Sequence, residues 1–133
     1  MMTDNQSKFQ SVFQNLKSLL QPYKELMEIS KDEADNYMLS TRFIMKNKQP
    51  LFFAAVQIKK NYVSFHLMPV YVEPILLLDV SPELKKRMQG KSCFNFKTMD
   101  HELMTQLSSL IELGFRSYQR QGYVQPKPEI VLQ

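Results

Sequence analysis

The amino-acid sequence predicts an α+β fold: an antiparallel twisted sheet of about four to six strands, with N- and C-terminal helices packed on one face. Both ends of the chain carry apolar residues at three- and four-residue spacing, which is typical of amphipathic helices. The middle of the chain contains short segments rich in β-branched and aromatic residues, separated by turn residues. Because the connections between these segments are short, neighbouring strands are expected to pair in the antiparallel sense.

The first helix is predicted over residues 6–21, where Phe9, Phe13 and Leu16 mark its apolar face. Pro22 and an acidic run then end it. The run covers residues 25–35 and is interpreted as a loop with at most one short turn. It holds five acids and one lysine, so its net charge is 1 − 5 = −4.

The remaining elements follow from turn residues, prolines and apolar periodicity. Ser81 and Pro82 suit the start of a short helix of about two turns, and Gly90 suits its exit. Gly114 is expected to let the last helix approach the sheet closely. The predicted ranges are strands at 37–46, 51–59 and 62–68, an extended stretch at 70–73, a helix at 81–90, a strand at 92–97 and a helix at 100–121.

The composition indicates one folded domain over residues 1–133, with a core at about 6–122 and an extended C-terminal tail at 123–133. A single cysteine, Cys93, excludes an internal disulfide and fits a reducing compartment. The N-terminus lacks a signal-peptide pattern, and no apolar stretch approaches the ~20 residues of a membrane span. We therefore expect a cytoplasmic protein with no membrane association.

Strand alternation predicts which side chains share the open face of the sheet, opposite the helices. Phe52 is assigned to the core face, whereas Phe53 and Tyr62 are placed near the open face. The open-face set lacks acids and offers cations, amides, a hydroxyl, an imidazole and a thiol, which suits an anionic or polar ligand or a protein partner. A plain solvated face is the alternative. The members are Arg42, Gln57, Lys59, Ser64, His66, Cys93, Asn95 and Lys97.

No catalytic motif is found in the sequence, so an enzyme is not predicted. Cys93 and His66 share the open face and are weighed as a thiolate–imidazole pair, but no local signature surrounds the cysteine. The chain has three glycines and no glycine-rich phosphate loop. The basic run at residues 85–87 lacks interleaved aromatic residues, so the sequence argues against nucleic-acid binding.

The acidic run offers an alternative site, because carboxylates bind hard cations such as iron. Glu28, Asp32, Glu33 and Asp35 are the candidate ligands, although their spacing matches neither a calcium loop nor a paired-helix site. No other cofactor is expected.

Two segments resemble a known family: FFAAVQIKKNYVSFHLMPVY at 52–71 and SPELKKRMQGKSCFNFK at 81–97. The chain is similar over roughly residues 10–122 to the YdhG-like bacterial domain, a family of unknown function. The wider group includes proteins that look like frataxin, which implies helices backing an antiparallel sheet and a role in iron delivery. The first helix departs from that pattern, because it carries Lys8 and Lys17 where frataxin-type iron binding uses acids.

The leading hypothesis is a non-enzymatic binding module that uses the open sheet face. The alternative is a frataxin-like iron-binding chaperone that uses the acidic run at 25–35. Monomer and homodimer both stay open, and the place of the last strand in the sheet is undetermined. The position of this strand in the sheet decides whether Cys93, Asn95 and Lys97 lie near His66 on the open face.

Overall fold

A computed structural model describes residues 4–124, with side chains from residue 6 onward. Six antiparallel strands form one sheet in the order β1-β2-β3-β4-β6-β5. The predicted fold class is confirmed, with N- and C-terminal helices beside this sheet. The elements are α1 (Asp4–Leu20), β1 (Glu28–Glu33), β2 (Asn36–Ile44), β3 (Pro50–Ile58), β4 (Val63–Leu67), α2 (Pro69–Val72), α3 (Pro82–Lys85), β5 (Met88–Gln89), β6 (Cys93–Phe96) and α4 (His101–Arg120), with 3-10 turns at Gln21–Leu26 and Pro74–Leu77.

The core lies between the sheet and the two long helices. Alternate residues of the strands, such as Val56, Phe65 and Phe94, are fully buried. They meet the apolar stripes of α1 and α4, represented by Phe13 and Ile111, which are also fully buried. This burial removes the apolar face of each element from water and leaves the other face of the sheet free.

A β-bulge reverses the predicted positions of two phenylalanines in β3. Leu39 of β2 pairs with Ala54, but the next residue, Ser40, pairs with Phe52, so Phe53 is an extra residue in β3. The extra residue shifts the alternation. Phe53 is fully buried in the core, whereas Phe52 is half-buried on the open face. The prediction for this pair was therefore wrong.

The acidic run is not a loop, which corrects the prediction for residues 25–35. The chain makes a 3-10 turn at Gln21–Leu26 and then an edge strand, β1, which pairs with β2 through a tight turn at residues 34–35. All six residues of β1 are exposed. An edge strand with no buried side chains shows no hydrophobic alternation, so its sequence lacks the usual strand signal.

Two further segments differ from their predictions. Residues 69–72 form a single helical turn rather than an extended stretch, and the helix predicted at 81–90 stops after Pro82–Lys85. The predicted cap is present, because Ser81 Oγ accepts a hydrogen bond from the Leu84 amide at 3.2 Å. The chain then forms the two-residue strand β5, which adds a sixth strand to the sheet.

The C-terminal part of the described chain packs more closely than predicted. A Cβ atom added to Gly114 would lie 2.9 Å from Cβ of Pro69, so the close approach at this glycine is made to α2, whereas the sequence predicted one to the sheet. Beyond α4, Tyr123 packs its ring on Phe43 and Tyr118, and Val124 is buried. The core therefore extends past residue 122. The rest of the predicted tail, 125–133, lies outside the described residues.

Candidate ligand-binding face of the sheet

The pairing of the last strand brings most of the predicted open-face residues together. β6 pairs with β4, which places His66 opposite Cys93 and Ser64 opposite Asn95. On the other side of β4, Gln57 of β3 is opposite Ser64. Residues that pair directly across antiparallel strands have their side chains on the same face of a sheet. Gln57, Ser64 and Asn95 therefore form one row across three strands.

A depression of about 380 Å³ lies on this face, over β2, β3, β4 and β6. Its volume falls within the range of small-molecule sites. Its lining divides into an apolar part and a polar part, and among the described residues it includes one cation, Lys59, and no carboxylate. We call it the central depression; its lining residues are Met38, Phe52, Ala55, Gln57, Lys59, Ser64, His66 and Cys93.

His66 is held in place by two contacts. Its Nε2 atom lies 2.7 Å from Ser92 Oγ and shares a hydrogen bond with it. Its ring meets the ring of Phe52 edge-on, with 4.9 Å between centroids. Burial lowers the pKa of His66 below its usual value of 6.5, so the imidazole is neutral at pH 7. At that pH the positive charge of the central depression comes from Lys59 alone.

The lowered pKa of His66 predicts a pH dependence of stability. Since the unfolded chain binds the proton at a higher pH than the folded protein, the free energy of unfolding falls as the pH drops through about 6.5. We expect the fall between pH 7.5 and 5.0, measured by urea denaturation, to be smaller in His66→Gln. The control His101→Gln, at an exposed position in α4, should keep the wild-type fall. An equal fall in His66→Gln would contradict this assignment.

Cys93 does not have the properties of an activated nucleophile. Burial raises the pKa of its thiol, and this exceeds the opposite effects of the Ser64 and Ser92 hydroxyls and the Lys59 charge. A thiol with a raised pKa carries little thiolate at pH 7. His66, which would have to act as its base, instead makes its hydrogen bond to Ser92. The arrangement does not support the cysteine–histidine enzyme considered from the sequence.

Arg42 is not brought into the central depression. It lies on the same side of β2 as Met38 by alternation, but four residues along the strand, which is about 13 Å. Its Nε donates to Glu28 Oε1 at 2.9 Å and its Nη2 donates to the Glu25 carbonyl oxygen at 3.2 Å. The prediction of an acid-free open face was therefore wrong at this edge, because β1 brings Glu28 beside Arg42.

Asn95 and Lys97 line a second depression of about 280 Å³, beside the first. Tyr62, Lys86 and Arg87 also line it. The predicted open-face set therefore divides into three groups. Five of its residues line the central depression, Asn95 and Lys97 line the second depression, and Arg42 stands apart at the β1 edge.

The four candidate metal ligands of the acidic run do not converge. Glu28 pairs with Arg42 at 2.9 Å, Asp32 with Lys17 at 3.0 Å and Glu33 with Lys31 at 3.8 Å. Asp35, in the turn before β2, has no ion pair among the described residues. Within residues 4–124, no group of three or more His, Cys, Asp or Glu side chains is arranged to hold a metal ion. Iron binding at these acids stays a prediction without support from the geometry.

Three residues in or beside the central depression were not predicted from the sequence. Phe52 was assigned to the core because the bulge at Phe53 leaves no local mark in the sequence. Met38 has the same parity in β2 as Arg42, so strict alternation would have found it. Ser92 precedes β6, and its contact with His66 depends on the pairing of β6 with β4.

No protein-family model matches this chain, and no curated protein or solved structure matches it. The resemblance to the YdhG-like domain therefore stays a prediction. Among residues 4–124, no helix has both the length and the apolar character needed to cross a membrane.

Proposed function

We propose that the protein is a non-enzymatic binding module whose central depression takes a small monoanion with an apolar part, such as an aliphatic or aromatic carboxylate. The observation that carries this proposal is the division of the lining into Met38, Phe52 and Ala55 on one hand and Gln57, Lys59, Ser64 and His66 on the other. Ligand sites in proteins typically combine an apolar lining with a few placed polar groups.

The charge of the lining favours a single negative charge on the ligand. Lys59 is exposed at the end of β3 and has no ion pair among the described residues. Gln57 and Ser64 lie next to each other in the β3–β4 register and supply amide and hydroxyl groups. A carboxylate bound here would have one cation and neutral hydrogen-bond donors around it, which suits a monoanion.

The experiment is a titration with benzoate, phenylacetate and octanoate, followed by ¹H–¹⁵N NMR. We expect shifts at residues 55–57 and 64–66 and an affinity about tenfold lower in Lys59→Gln, because one charge-assisted contact of roughly 1.5 kcal/mol is lost. The control Lys46→Gln removes the same charge from the β2–β3 turn and should bind as the wild type does. Benzyl alcohol, which lacks the charge, should bind the wild type and Lys59→Gln equally.

Two results would contradict the proposal. One is the absence of shifts at the central depression with all three acids. The other is equal weakening in Lys59→Gln and Lys46→Gln, which would mean that net charge rather than this site attracts the acids.

A further inference from the structure

A second, more basic depression lies at the β5 end of the same face. Tyr62 precedes β4, Lys86 and Arg87 follow α3, and Lys97 follows β6. Together with Met88, Gln89 and Asn95 they surround a volume of about 280 Å³. We call this the basic depression. It shares no lining residue with the central depression, so its chemistry can be considered independently.

Within residues 6–124, no cation of the basic depression forms an ion pair. Its lining holds three cations, Lys86, Arg87 and Lys97, and no carboxylate. The salt bridges of the described chain use other cations, which are Lys17, Lys31, Arg42, Arg116 and Arg120. Three like charges around one small volume repel each other, and an anion of charge −2 bound between them would relieve that repulsion.

The neutral groups of the basic depression are mostly hydrogen-bond donors. Asn95 Nδ2 donates to Gln89 Oε1 at 2.6 Å, which occupies the amide oxygen of Gln89 and leaves its amide nitrogen as a donor. Tyr62 is half-buried and adds a hydroxyl. Apart from the apolar Met88, the lining consists of cations, amide groups and a hydroxyl, and their N–H and O–H donors match the oxygen-rich surface of a phosphate group.

Backbone hydrogen bonds between β5 and β6 hold the segment at Arg87 in position. The backbone N–H of Asn95 donates to the backbone carbonyl oxygen of Arg87 at 2.7 Å, and Met88 pairs with Phe94 in the β5–β6 register. Arg87 is half-buried, so part of its side chain packs against the protein. The fixed planar donors of arginine recognise phosphate oxygens in pairs.

We propose that the basic depression binds the phosphate group of a phosphate ester. Arg87 and Lys97 supply the main charge-assisted contacts, Lys86 adds a third cation, and Gln89 and Tyr62 donate hydrogen bonds. No glycine-rich loop is required, because side chains rather than backbone amides surround the anion.

The test is a titration of the full chain with inorganic phosphate at low salt, followed by ¹H–¹⁵N NMR. We expect shifts at residues 62, 86–89 and 95–97. The double variant Arg87→Gln/Lys97→Gln should bind phosphate at least tenfold more weakly. The matched control Lys24→Gln/Lys46→Gln loses the same two charges at exposed positions outside this lining, and its affinity should stay within twofold of wild type.

Equal weakening in the two double variants, or shifts that map elsewhere, would overturn the proposal. Thermal unfolding establishes that each variant is folded. If Arg87→Gln/Lys97→Gln fails to fold, Lys86→Gln and Lys97→Gln, both at exposed positions, provide the same comparison. Benzoate binding at the central depression should persist in these variants, so failure of one site is distinguishable from failure of the other.

Titrations with two further ligands identify the source of the phosphate. Glycerol phosphate represents a small monoester, and tetrathymidylate represents a nucleic-acid strand. A steep loss of tetrathymidylate affinity with salt, together with affinity well above that of glycerol phosphate, assigns the phosphate to a nucleic acid. Equal or tighter binding of glycerol phosphate assigns it to a small monoester. Absence of binding by both esters would overturn the proposal.

Discussion

Replacement of Phe53 by alanine is expected to lower the free energy of unfolding by about 3–5 kcal/mol, which is the usual cost of removing a fully buried phenyl ring. Phe53 is fully buried, and its ring packs against Tyr23, Phe115 and Tyr118. These three rings come from the 3-10 turn after α1 and from α4. The cavity would therefore open where β3 meets both of these elements.

Phe52→Ala provides the matched control, since it makes the same chemical change one residue earlier in β3. Phe52 is half-buried beside His66, so we expect a cost of about 1 kcal/mol. Urea denaturation of both variants measures the difference. Strict alternation without the bulge predicts the opposite order, so a larger cost for Phe52→Ala would show that the bulge is misplaced.

Gly114→Leu is expected to destabilise the protein by about 3 kcal/mol, because the added side chain has no space. Even a single Cβ atom at this position would lie 2.9 Å from Cβ and 3.1 Å from Cγ of Pro69. The proline ring cannot rotate away, so α4 and α2 would have to separate. Leucine is a better helix former than glycine by roughly 1 kcal/mol, and this gain offsets only part of the strain.

Two controls isolate the steric effect at Gly114. Ser109→Leu places the same side chain on an exposed position of α4 and should change the free energy of unfolding by less than about 0.5 kcal/mol. Gly122→Ala should cost about 1 kcal/mol through its backbone alone, because Gly122 has φ of +84° and nothing within 4 Å of an added Cβ. Wild-type stability in Gly114→Leu would disprove the close contact with Pro69.

Elements with strong periodic or capping signals were predicted well from the sequence. The two long helices, the strands that became β2, β3, β4 and β6, and the cap at Ser81 agree with the structure to within a few residues. These elements bury one face, so their apolar residues recur at the period of the backbone. β1 and β5 escaped prediction because one is an exposed acidic edge strand and the other is two residues long.

The sequence predicted several residues of the candidate face, but it predicted their arrangement less well. Alternation found Gln57, Ser64 and His66, which lie on neighbouring strands around one depression. It misplaced Phe52, because a bulge adds one residue to β3 and reverses the parity beyond it. It also treated Arg42 as available, although the unpredicted strand β1 supplies Glu28 as its partner.

By itself, the sequence determined the fold class and part of the residue set on the open face, because both depend on local periodicity and composition. Only the tertiary structure decided that β6 lies beside β4, which joins Cys93 to His66 and separates two depressions of different charge. It also decided the bulge at Phe53 and the edge position of the acidic strand. Strand order and register depend on contacts between residues distant in the chain, which local patterns do not encode.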